Sequence, residues 1–224
     1  MRLPAALLCL PLLIQTAGCA SVPLAVNPLL HPDSPEFTKP APARSLVTLT
    51  TTKGDIVIEV QRAWAPLGAD RFYNLARLGY YTDMRIHRVV ADKWAQFGIN
   101  GTPEIAKTWR TATFPDDPFL PANSNVRGTV AFAYKDHGGR TTQVFINLRD
   151  NSATHDKEPF IPFGRVIRGM DVADALNKEY GENAGGGIRA GKQDPLFDGG
   201  NAYIDRMYPK LDKIMTVTVT ESNK

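Results

Sequence analysis

Residues 129–148 read TVAFAYKDHGGRTTQVFINL, two apolar runs separated by a polar turn at 136–139. The composition and length of both runs are typical of β-strands. Because successive strand side chains point to opposite faces, Gln143, Phe145 and Asn147 share one face of the second strand. Val144 and Ile146 lie on the other face. The stretch therefore predicts a polar and aromatic surface over an apolar core.

An earlier stretch of the sequence adds a positively charged residue to the predicted polar surface. Residues 84–98 read MRIHRVVADKWAQFG, and the same alternation places Ile86, Arg88 and Val90 on one face. An arginine on a strand, a nearby Gln96 and a phenylalanine flanked by polar residues predict a charged, half-apolar groove. This groove is the candidate functional site.

Residues 1–18 are predicted to be a lipoprotein signal peptide. A basic start at Arg2 precedes an apolar run over 3–14, which is too short to span a bilayer as a helix. Small residues stand directly before Cys19, a pattern that resembles a bacterial lipobox, although Thr16 occupies the usual place of leucine. The pattern predicts acylation of Cys19.

Cysteine usage supports lipidation. Cys9 lies inside the apolar run and would be removed, which leaves Cys19 as a lone thiol that an exported protein must account for. Several acyl chains would anchor the protein stably, since each buried methylene contributes about 0.8 kcal/mol. Ala20 resembles the residue that directs lipoproteins to the outer membrane, which predicts a periplasm-facing lipoprotein of the bacterial envelope. An ordinary signal peptide with a coincidental cysteine is the alternative.

The mature chain divides into two parts. Residues 19–44 are proline-rich, show no helix or strand period, and predict a lipidated, extended tether with a reach of up to ~75 Å. Residues 45–224 predict one folded domain, long enough to need no disulfide or metal. The formal net charge of +3 falls to +2 without Arg2, and no basic run is interleaved with aromatics. A nucleic-acid partner is therefore not expected.

Hydrophobic periodicity predicts a mainly antiparallel sheet closed on itself. A helix is predicted from Pro66 to its end at Gly79, and a second short one leads from 169 to 178. Segments 98–125 and 180–212 read as a loop and a glycine-rich insertion. The predicted strands cover 46–51, 55–60, 80–90, 129–134, 143–148, 163–167 and 214–220.

At this point the chain resembles the cyclophilins, a family of peptidyl-prolyl cis-trans isomerases, and within them a bacterial branch. The resemblance covers residues 46–220, and its strongest pieces are IHRVV at 86–90, AQFG at 95–98, TQVFIN at 142–147 and PFGRV at 162–166. Their order and spacing agree together. The resemblance implies a closed eight-stranded antiparallel β-barrel capped by two α-helices, with the site on its outer wall.

The resemblance also implies roles for particular residues. Arg88 would be the catalytic group, because its guanidinium is permanently charged and offers donors fixed in one plane. Gln96 would orient Arg88, Gln143 would bind the substrate backbone, and Phe145 would form the floor of the proline pocket. Phe160 would lie at the rim. The alternative for the arginine is a surface residue paired with an acid.

Several positions depart from the family pattern. Lys93 replaces an aromatic that helps to wall the pocket, and Trp94 replaces a methionine and could fill the space. Tyr134 follows Ala133 at a subsite where it adds bulk, and His155 stands where a tryptophan or leucine often lies. All five are expected to bind substrate.

The expected function is prolyl isomerisation during the folding of exported proteins. The alternative is a weakly catalytic or non-catalytic module that holds proline-containing segments. The expected partners are proline-containing unfolded or extended polypeptides and the membrane that receives the anchor. We expect a monomer without a cofactor. No histidine has a partner at metal-ligand spacing, so no metal is expected, and His87 is interpreted as a core residue.

Overall fold

The computed structural model describes residues 27–120, 123–182 and 192–221. Within these ranges the strands form one antiparallel sheet, so the prediction of a mainly β, cyclophilin-like architecture is confirmed. The strands are β1 Arg44–Thr51, β2 Gly54–Gln61, β3 Met84–Arg85, β4 Arg88–Val90, β5 Trp94–Phe97, β6 Thr129–Phe132, β7 Val144–Asn147, β8 Pro162–Arg168 and β9 Lys213–Glu221.

The predicted closed barrel of eight strands is wrong. The described residues form a curled sheet of nine strands in the order β3-β9-β1-β2-β8-β6-β7-β5-β4, in which no ladder joins the end strands β3 and β4. These two strands are consecutive in the chain and pair with different neighbours, β9 and β5. The predicted strand over 80–90 is broken at Ile86 and His87, where the Ile86 amide donates to the carbonyl of Asp212 at 2.9 Å.

The helices of the described residues are α1 Pro66–Arg77, α2 Pro103–Arg110, α3 Ser152–His155, α4 Met170–Asp174 and α5 Asp194–Met207. The prediction of α1 is confirmed, with Pro66 in its first turn and Gly79 at φ 80° just beyond its end. The prediction of only two helices is wrong. Both α2 and α5 begin with a proline in the first turn, and they lie in the segments predicted to be a loop and a glycine-rich insertion. None of the helices in these ranges is long and apolar enough to cross a membrane.

The core lies between the inner face of the sheet and α1. Val47 and Leu49 of β1, Ile58 of β2 and Phe72 of α1 are all buried there. The Phe72 ring packs 4.8 Å from that of Phe163 on β8, measured between ring centres. This packing fixes α1 on one side of the sheet and leaves the face of β4, β5 and β7 available for a site.

A buried ion pair holds the start of α1. The amides of Leu67 and Gly68 donate to the carboxylate of Asp117 at 2.8 and 2.9 Å. The fully buried guanidinium of Arg140 donates to the same carboxylate at 3.1 Å and lies 3.1 Å from Asp116. The first amides of a helix have no intrahelical acceptor, so Asp117 supplies one from a distant loop.

The described part of the predicted tether packs against the domain. The carbonyl of Leu29 accepts from the Trp109 indole at 2.7 Å, and Phe37 packs edge-on to that ring with 4.6 Å between centres. Phe37 is only 5% exposed. The expectation of an extended chain therefore does not hold for 27–44, because the Leu29 carbonyl and the Phe37 ring both contact Trp109 of α2. Cys19 and the signal peptide lie outside the described residues.

Candidate active site

A row of side chains crosses three neighbouring strands. Arg88 of β4 lies opposite Gln96 of β5, and Gln96 lies opposite Phe145 of β7. Directly opposed residues of antiparallel strands share a face of the sheet, so the three fall in one line. The guanidinium of Arg88 donates to Oε1 of Gln96 at 2.7 Å. The structure thus brings together the three residues to which the resemblance assigns catalysis.

A small cavity opens over this row. Its volume is about 40 Å³, and its lining consists of Arg88, Trp94, Gln96, Ala133, Phe145 and His155. Phe145 forms part of the lining although it is only 4% exposed. A largely aromatic lining with a few polar groups suits the binding and orientation of a small apolar group.

The positive charge of the cavity is largely shielded from water. The Arg88 side chain is 15% exposed and lies over the Trp94 ring, 5.2 Å from its centre. Burial lowers the pKa of Arg88 to about 10, so the guanidinium remains charged near neutral pH. A charge in such surroundings acts more strongly on a bound dipole than it would in bulk water.

Aromatic rings wall the cavity on the side away from the arginine. The ring of His155 lies 5.4 Å from both Trp94 and Phe145, measured between centres. Phe160 stands at the edge, 4.8 Å from His155 and perpendicular to Phe145, and its other side contacts Tyr134. Burial lowers the pKa of His155, which favours its neutral form as a wall residue.

Amide side chains extend the polar edge. Gln96 donates to Oε1 of Gln143 at 2.8 Å, and Gln143 donates to Oε1 of Gln193 at 2.9 Å. The Arg88 guanidinium also forms an ion pair with the carboxylate of Glu182. Sequence reasoning missed Glu182 and Gln193, since both lie in the predicted insertion and carry no motif. The alternative prediction for Arg88 is a surface arginine paired with an acid. Arg88 does pair with an acid, but its side chain is mostly buried.

The other predicted site residues lie around this centre. The Ala133 amide donates to the Gln143 carbonyl at 2.9 Å, while the Tyr134 hydroxyl turns outward to Glu158. Lys93 is exposed in the turn after β4 and lies outside the cavity lining, with Nζ 5.9 Å from the centre of the Trp94 ring. Trp94 therefore fills the space in the wall that Lys93 leaves open.

His87 is buried directly behind the arginine. Its pKa falls to about 3 because burial disfavours the charged ring, and the nearby positive Arg88 adds to the effect. The imidazole is therefore neutral near pH 7. Across the described ranges, no group of three or more His, Cys, Asp or Glu residues is arranged to hold a metal ion.

Comparisons with known proteins point to one family. The family described as cyclophilin type peptidyl-prolyl cis-trans isomerase/CLD matches residues 46–195. Peptidyl-prolyl cis-trans isomerase A of Dickeya dadantii is 31% identical over 158 residues, which cover 68% of this chain and 80% of the relative. Peptidyl-prolyl cis-trans isomerase cyp18 of Streptomyces antibioticus is 34% identical over 142 residues, or 59% of this chain and 82% of the relative.

Solved structures show the same fold. A cyclophilin type peptidyl-prolyl cis-trans isomerase of Cryptosporidium parvum superposes with a TM-score of 0.56 at 16% sequence identity. The superposition covers 80% of this chain and 99% of that protein. A second crystal structure of the same protein, obtained in the presence of the dipeptide Ala-Pro, has a TM-score of 0.55.

Proposed function

The chain belongs to the cyclophilin-type peptidyl-prolyl cis-trans isomerases, and from this we propose that it isomerises X-Pro bonds of exported proteins in the bacterial envelope, with Arg88 as the catalytic residue. The observation that carries the proposal is the charged guanidinium of Arg88 in the same cavity as Phe145, held by Gln96. An apolar slot beside a fixed cation matches the two halves of the X-Pro unit, the ring and the amide.

The chemistry requires no nucleophile. Resonance between nitrogen and carbonyl gives a peptide bond a rotation barrier of roughly 18–20 kcal/mol, and an X-Pro bond isomerises over tens to hundreds of seconds unaided. Twisting the bond frees the lone pair of the prolyl nitrogen, which then accepts a hydrogen bond. A donor that meets this lone pair stabilises the twisted state more than the planar one, which is the condition for catalysis.

The side chains divide this task. Phe145 and Trp94 hold the proline ring, and Arg88 donates to the nitrogen as it becomes pyramidal. Gln96 fixes the direction of the guanidinium, so that little reorganisation is needed during the reaction. Gln143 binds the backbone next to the proline, from its position in the amide chain between Gln96 and Gln193.

A lipid at Cys19 would place this activity in the envelope. The support for this part of the proposal is the predicted signal peptide and the lone cysteine after it. Expression of the full chain in a Gram-negative host with an alkyne-tagged fatty acid is expected to label the wild-type protein and not Cys19→Ser. Equal labelling of both proteins, or labelling of neither, would contradict the anchor without affecting the catalytic proposal.

Refolding of a substrate protein tests the catalytic part. A denatured protein whose slow phase is limited by a proline is expected to refold faster in the presence of the wild-type chain. Arg88→Ala is expected to lose most of this acceleration, whereas Arg165→Ala, which removes an exposed arginine on β8, is expected to keep it. Binding of the substrate without acceleration would instead favour the module that holds proline-containing segments. The ion pair between Glu182 and Arg88 favours this second function, because the carboxylate weakens the positive field that catalysis needs.

A further inference from the structure

The insertion after α4 reaches the active site from both of its described ends. Glu182 lies at the end of one described range and forms an ion pair with Arg88. Gln193 lies close to the start of the next range and accepts from Gln143. Both contacts fall on the polar edge of the cavity, so this part of the chain adds groups to the site that the four sequence motifs do not contain.

The position of Arg88 does not depend on Glu182. Gln96 accepts from the other terminal nitrogen of the guanidinium at 2.7 Å, and the Trp94 ring supports its plane. The arginine is mostly buried, and its pKa of about 10 keeps the guanidinium charged near neutral pH. Glu182 therefore changes the charge of the site more than its geometry.

The Glu182 carboxylate is also partly open to solvent. The side chain of Glu182 is 36% exposed, against 15% for Arg88, so it lies on the solvent side of the ion pair. While it pairs with Arg88, it weakens the positive field that acts on the prolyl nitrogen. A cation of the substrate could take the carboxylate, whereas an acidic side chain would meet a charge of the same sign.

We propose that Glu182 is a specificity-determining residue that selects substrates with a lysine or arginine next to the X-Pro unit. The basic side chain pairs with Glu182 and releases one edge of the Arg88 guanidinium for the reacting amide. Acidic neighbours of the proline are disfavoured because they leave the ion pair intact and are repelled by it. This inference rests on the proposed function of Arg88.

Matched peptides measure this preference. The full-length chain, purified in detergent, is assayed by NMR exchange on two series that carry Lys, Gln or Glu directly before or directly after the X-Pro unit. In at least one series, the wild type is expected to favour Lys over Glu in kcat/KM by about two- to fivefold, the range for a partly exposed ion pair. Glu182→Gln is expected to bring the ratio close to one and to raise kcat/KM for the neutral peptide.

Two further variants separate charge selection from a general effect. Glu179→Gln removes a nearby carboxylate that pairs with Lys210 at 2.8 Å, and it is expected to leave the ratio unchanged. Glu182→Asp keeps the charge and is expected to retain the preference. The inference is overturned if Glu182→Gln and the wild type show the same Lys-to-Glu ratio in both series.

Failure of the proposed function has a different signature. In that case the wild type and Arg88→Ala would isomerise the neutral peptide equally. Peptide titrations of the same samples then decide the inference separately. Tighter binding of the Lys peptide that is lost in Glu182→Gln supports it, and equal binding of the Lys and Glu peptides rejects it.

Discussion

We expect Gln96→Leu to slow isomerisation by about ten- to a hundredfold while the fold is kept. Gln96 is 4% exposed and holds the Arg88 guanidinium at 2.7 Å. A hydrogen bond to a charged group contributes about 1.5–3 kcal/mol, and about 1.4 kcal/mol corresponds to a tenfold change in rate. Leucine has a similar volume and cannot accept a hydrogen bond, so it removes the bond that directs the guanidinium and leaves only the Trp94 ring and the Glu182 carboxylate in contact with it.

The loss is expected in kcat more than in KM. The bond from Arg88 to the prolyl nitrogen forms only as the amide twists, whereas the Phe145 pocket binds the planar substrate equally well in both proteins. NMR exchange spectroscopy on a proline peptide at several concentrations separates the two constants. Gln61→Leu on β2 is the matched control, because Gln61 donates to Glu59 at 2.8 Å outside the cavity lining. A Gln96→Leu rate within twofold of the wild type, or equal effects of both variants, would refute the positioning role.

Two further predictions concern stability. Asp117→Ala is expected to lower the free energy of unfolding by about 3–5 kcal/mol in urea titrations, because Arg140 stays buried with one partner fewer; a loss below ~1 kcal/mol would contradict this. The pKa of His87 is about 3 when folded and 6.5 by reference, so the unfolded chain takes up the proton first as the pH falls. The free energy of unfolding should therefore decrease as the pH falls from 6.5 to 3. In His87→Gln the slope of this free energy against pH should be smaller by about 1.4 kcal/mol per pH unit, and an unchanged slope would exclude the buried neutral ring.

Local periodicity predicts those parts of the fold in which neighbours in sequence determine the structure. The strands β1 and β2 are runs rich in β-branched residues on either side of a tight turn, and α1 has a proline at its start and a glycine just after its end. The break at Ile86 and His87 could not be predicted in this way. It depends on pairing of the two flanking strands with β9 and β5, which lie far apart in the chain.

Glycines and prolines explain the other errors in the fold. The segment that contains α5 reads as a glycine-rich insertion, and Gly200 at φ 53° does interrupt this helix. The segment that contains α2 reads as a loop because of its prolines, yet Pro103 falls in a first turn, where its missing amide costs nothing. The segment 27–44 reads as an extended tether for the same reason. Its docking depends on the Trp109 ring, whose exposure to Leu29 and Phe37 is a property of the folded domain.

The residues of the site also differ in how well the sequence predicts them. Arg88, Gln96 and Phe145 lie within motifs whose spacing is informative, and strand register then brings them into one row. Glu182 is separated from Arg88 by 94 positions and enters the site only through the path of the insertion. The motif predicts substrate contacts for both Lys93 and Trp94, and in the structure Trp94 lines the cavity while Lys93 lies outside the lining.

The most direct test of the account is the isomerisation rate of Arg88→Ala on a neutral proline peptide, measured by NMR exchange without a coupled protease. Removal of a preorganised donor from a shielded site typically costs about 10²–10³-fold. We predict a fall of this size in kcat/KM, with peptide binding changed by less than tenfold. A rate equal to that of the wild type would contradict the claim that the guanidinium stabilises the twisted amide.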